Sequence, residues 1–65
     1  MMDSSIAEYL KKEFQKEIDL RTGFLAAGNA MTYDEYKHVA GVIRGLALAI
    51  DTVNDLVRRM EMSDE

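Results

Sequence analysis

From Thr32 to Met60 the chain carries an unbroken heptad, and that pattern restricts the fold more than any other feature. Tyr36, Ile43, Ile50 and Val57 fall at the a positions, and Val39, Leu46, Val53 and Met60 at the d positions. Residues spaced alternately by three and four share one side of an α-helix, so these make a continuous apolar seam. The seam is flanked by more apolar residues, with Ala40 and Ala47 at e and Val42, Ala49 and Leu56 at g. A two-stranded coiled coil usually carries charges at those flanks, so the wider face predicts a bundle of three or more helices.

The start of this helix is also written locally. Thr32 and Glu35 have the spacing of a capping box, in which the hydroxyl accepts from the Glu35 amide and the carboxylate reaches back to the Thr32 amide. Met31 and Tyr36 are placed as a hydrophobic staple, and Asp34 and Glu35 complement the helix dipole. The helix is expected over about residues 33–61. Inside it, Gly41, Gly45 and Ala49 recur every four residues, with Leu48 and Thr52 beside them. Each interior glycine costs roughly 1 kcal/mol relative to alanine. Close helix-to-helix approach would offset that cost, as would a ligand or partner backbone lying in the notch. Arg44, Asp51 and Asp55 interrupt any apolar run long enough to span a membrane.

A second helix is expected over about residues 6–27. Ser5 and Glu8 have capping-box spacing, and Ile6, Leu10, Phe14, Ile18 and Leu25 form one apolar stripe. Glu8 with Lys12, and Glu17 with Arg21, are i,i+4 pairs in the favourable orientation. Tyr9, Leu20 and Phe24 fall beside the stripe, where they would widen the core or meet another subunit. Gly28 and Asn29 suit a left-handed C-cap, and the short link to Met31 makes the helices antiparallel neighbours. The expected architecture is therefore all-α: one domain over residues 1–65, an antiparallel two-helix hairpin that assembles into a helical-bundle homo-oligomer. Because the second helix is the longer, its surplus is expected at the C-terminal end, leaving Val57 and Met60 uncovered unless residues 1–5 fold over them.

Size supports the oligomer. A single core in a chain of 65 residues rarely supplies more than about 3 to 5 kcal/mol, and such chains lean on disulfides, metals or self-association. There is no cysteine, which removes disulfides and thiolate metal sites and leaves a dimer or higher assembly. The assembly surface is expected to hold the seam residues together with Gly41, Gly45 and Ala49. A net charge of -4 argues against coating DNA, since phosphate binding needs a basic face. The opening Met1-Met2-Asp3 lacks the basic and apolar character of a signal peptide, so a cytoplasmic location is expected.

Catalytic chemistry finds little support. One histidine, no cysteine, serines near the two ends and no Gly-rich phosphate loop make no convincing constellation, and a non-enzymatic protein that binds another protein is expected. The alternative is a sponge that sequesters a cyclic nucleotide or related signal in pockets between subunits. Lys37, Arg44 and Arg58 share heptad position b, and Tyr9 and Tyr33 could supply stacking surfaces beside them. A lesser alternative is a di-metal carboxylate bundle, since Glu35-x-x-His38 places a carboxylate and an imidazole on neighbouring helix positions, with Glu13 or Glu17 to add from the first helix. Glu35 already has its capping role and His38 points away from the seam, so no metal or other cofactor is expected.

From Tyr33 to Glu65 the chain resembles a type of small acidic protein encoded by tailed bacteriophages. The resemblance is carried by Asp34-Glu35-Tyr36-Lys37, by Gly41 with Ile43-Arg44-Gly45-Leu46, by Ala49-Ile50 and Asp55-Leu56, and by the charged tail. It implies a phage accessory protein working in the host cytoplasm, whose partner belongs to the virion, the host or a defence pathway. It brings no catalytic or ligand residues with it.

Overall fold

The structure, a computed structural model, describes residues 4–63. Two α-helices, α1 (Ser4–Ala26) and α2 (Tyr33–Ser63), pack against each other as a hairpin, a rod with Cα extents of 52 × 17 × 12 Å. The two-helix, all-α expectation is met.

The apolar spacing explains the packing. On α2, Val39, Ile43, Leu46, Ile50, Val53, Val57 and Met60 are half-buried, and on α1 Leu10, Phe14, Ile18 and Leu25 face them. The only fully buried side chain among the described residues is Ala7, 1% exposed. Ile6, expected in the stripe, is largely exposed instead. Ala7 is small enough to be enclosed completely, and a close-packed position of that size leaves no room for a branched side chain.

Both ends of the connection are built by caps. Gly28 stands at φ +76°, and the amides of Gly28 and Asn29 donate to the carbonyls of Leu25 and Phe24 at 3.0 and 3.2 Å. This is the paired hydrogen bonding of a Schellman motif, which satisfies carbonyls that the last turn of α1 would otherwise leave open. An added Cβ at Gly28 meets nothing within 4 Å, so only the left-handed backbone would resist it. Gly28→Ala is therefore expected to cost about 1 to 2 kcal/mol. A thermal melt that moved by less than a few degrees would show the cap to be dispensable.

At the start of α2, the Thr32 hydroxyl accepts from the Glu35 amide at 3.0 Å, as expected. The reciprocal arm differs. Glu35 Oε1 accepts from the Met31 amide at 2.9 Å rather than from Thr32. The side chain reaches one residue further back and ties down the link as well as the helix. Met31 stays mostly exposed and Tyr36 half exposed, so the staple buries little. The other expected cap moves too: α1 begins at Ser4, which puts Ser5 inside the helix.

The register places the surplus length at the opposite end from that expected. Lys11 Nζ donates to Asn54 Oδ1 at 2.8 Å, fixing those two residues opposite each other. Counting outward, Ser4 then lies level with the last turn of α2, so Val57 and Met60 are half-buried rather than bare. Counting the other way, α1 ends near the level of Val39. The first turn and a half of α2 runs on alone, and Met31 through His38 are all exposed.

Candidate functional site

The exposed end of the rod holds the densest group of large side chains with nothing over them. Met31 is 84% exposed and Tyr33 73%, with Tyr36 half exposed beside them. Their position follows from the overhang, since α1 stops before it can cover the first turns of α2. Lys37 Nζ lies 5.5 Å from the centre of the Tyr33 ring, within range of a cation–π contact. The tip thus presents two phenol rings, a thioether and a cation within two turns of helix. Tyrosine and methionine are enriched where proteins meet, because they offer large contact area and, for tyrosine, a polar handle.

The remaining ligand-binding candidates are not gathered around this group. Arg44 and Arg58 continue the exposed edge of α2 on which Tyr33 and Lys37 lie, but Lys37 and Arg58 stand about 32 Å apart at 1.5 Å per residue. Tyr9 sits on α1 near the far end of the rod, where it lines a shallow open depression of about 370 Å³ with Ser5, Glu8 and Lys12. The depression that Tyr9 lines includes none of Lys37, Arg44 and Arg58.

Ion pairs decorate the surface of both helices. Glu8 pairs with Lys11 at 3.0 Å, one residue short of the expected Lys12, while Glu17 pairs with Arg21 as expected. Glu13 pairs with Lys16 at 3.4 Å and Asp55 with Arg59 at 3.2 Å. All lie at the surface, where each contributes at most about 1 kcal/mol. Among the described residues, no three His, Asp or Glu side chains converge on a point that could hold a metal ion. Glu35 is occupied with the Met31 amide, and His38 is exposed.

The Gly41 and Gly45 notch is open. An added Cβ at either glycine would meet nothing within 4 Å, so neither serves the contact between α1 and α2. Leu48, Thr52 and Leu56 share this open side, and the Thr52 hydroxyl turns inward to donate to the Leu48 carbonyl at 2.8 Å. The sequence marks this face by its small residues but does not say which helix they meet. Neither helix of the described residues is long and apolar enough to cross a membrane. Comparison with known protein families, with curated proteins and with solved structures finds no match to this chain.

Proposed function

We propose that this chain is a non-enzymatic, self-assembling accessory protein that acts by binding another protein, with the tip of the rod as its contact surface. The observation that carries this reading is the uncovered group Met31, Tyr33 and Tyr36 at the loop end. Side chains of this kind give most of the binding energy in protein interfaces when a partner desolvates them. Here they stand on a helix start held by its own cap, so their presentation does not depend on the partner. The resemblance to small acidic phage proteins supplies the setting, a partner drawn from the virion, the host or a defence pathway.

Affinity capture from lysate of an infected host tests the reading. The wild-type chain is expected to retain a protein, and the Tyr33→Ala/Tyr36→Ala double variant to lose it by tenfold or more, since both residues lie outside the core. Retention that the double variant leaves unchanged would remove the tip from the mechanism. Copurification of a small nucleotide in place of a protein would favour the sponge instead, and calorimetric titration with Arg44→Ala as control would then locate its site.

A further inference from the structure

The open notch on α2 has a counterpart on α1. At 100° per residue, Ile6, Tyr9, Leu20 and Phe24 fall within about 60° of arc, roughly a third of a turn from the line of Leu10, Phe14 and Leu25. These four are the exposed large apolar residues of α1. On α2, Gly41, Gly45, Leu48, Thr52 and Leu56 lie about the same angle from the seam. Lys11 and Asn54, joined by a hydrogen bond, are displaced from the two core lines in the opposite sense. In antiparallel helices an equal sense of rotation leads to the same broad face. Both uncovered strips therefore share one face of the hairpin, and the Lys11–Asn54 bond marks the other.

We propose that this face is closed by a second copy of the chain, α1 against α1 and α2 against α2, in an antiparallel four-helix bundle with one two-fold axis across the rod. The proposal rests on the self-assembly reading above and names the surface it uses.

Three observations favour a second copy. The first is area: the chain exposes 5134 Å², whereas a compact monomer of its 7.4 kDa would expose roughly 4,200 Å². The surplus, about 900 Å², is close to the ~800 Å² that each partner gives to an interface of standard size.

The second is complementarity of the face with itself. Glu13 and Lys16 are the charged residues in the middle of the α1 strip, paired with each other at 3.4 Å. About a two-fold between residues 14 and 15, Glu13 of one copy lies opposite Lys16 of the other, twice over. Tyr9 then meets Leu20, and Ile6 meets the turn of Gly23 and Phe24. On α2, a two-fold between Leu48 and Ala49 sets Leu56 of one copy over Gly41 of the other, and Thr52 over Gly45. Each bulky residue meets a small one, which also accounts for two interior glycines that the hairpin itself does not use.

The third is that a single axis serves both strips. With Lys11 opposite Asn54, the centre of the α1 strip lies within two residues, about 3 Å, of the level of the α2 centre. Two unrelated patches would have no reason to share a level.

Sedimentation equilibrium of the full chain, with circular dichroism to verify helix content, tests this. The wild type is expected to be a dimer at micromolar concentration. Glu13→Lys and Lys16→Glu each set like charges against one another across the axis and should raise the dissociation constant about tenfold, and the double swap should bring it back. Gly41→Leu, which has open space in the single hairpin, should also weaken the dimer by tenfold or more while leaving the chain helical. A wild-type monomer at that concentration, single variants that dimerise as tightly as wild type, or a double swap that fails to recover would each overturn the proposal. A monomer that still bound its partner through Tyr33 and Tyr36 would sink the pairing and leave the tip reading standing.

Discussion

Ile43→Asp is expected to leave the chain unfolded at room temperature. Ile43 lies mid-seam on α2, half-buried against α1, where a carboxylate would have no cationic partner from the seam itself. A charge placed there without a partner costs several kcal/mol, roughly as much as the about 3 to 5 kcal/mol that a core of this size supplies in total. Arg44→Asp, one residue along and exposed, makes the same acidic substitution on the solvent side and should shift the melt by only a degree or two. Far-UV circular dichroism on the two variants separates the cases. An Ile43→Asp chain that melted like wild type would mean that the heptad is not the joint between the helices.

Ala7→Leu is the second large effect, and it acts through excess volume. Leucine is nearly as good a helix former as alanine, so propensity is held almost constant. At 1% exposure there is no room for three more carbons unless the surrounding chain moves aside. Overpacking of that kind costs about 1 to 3 kcal/mol. In a domain of this size each kcal/mol moves the melting temperature by about 4 to 8 °C. Ala47→Leu, at an exposed position of α2, should be close to neutral. If both variants melted together, Ala7 would not be closely packed.

The parts of the fold written locally or periodically were legible in the sequence. The heptad predicted α2 and its buried side, Thr32 and Glu35 predicted its start, and Gly28 predicted the end of α1. What escaped was set by pairing across the hairpin. The register sets Lys11 beside Asn54, residues 43 apart in sequence, and no periodic pattern encodes that distance. The overhang was consequently expected at the wrong end. Tyr36 was counted as a seam residue by spacing alone, but it begins the stretch that α1 does not reach, and it is half exposed. Hydrophobic patterns weigh bulk and so point to Ile6, whereas the side chain that is fully buried is Ala7. Of the tip, the residues were all visible as capping and seam elements. Their exposure was not, because it follows from where the other helix stops.

The position of that tip has an arithmetic consequence. A two-fold axis between Leu48 and Ala49 would carry one tip toward each end of the assembly, the Tyr33 and Tyr36 pairs roughly 40 to 45 Å apart at 1.5 Å per residue. Two identical contacts on a stiff spacer cannot both close on one small globular partner. They can bridge two sites on a repetitive surface, or two partner molecules, and on a matched lattice the second contact forms at an effective concentration far above that of the free protein. Avidity can then exceed the single-site affinity by about 10²- to 10⁴-fold without any new contact, and it vanishes where the spacing does not fit. A weak tip would thus discriminate ordered arrays of its target from the same target dispersed in solution.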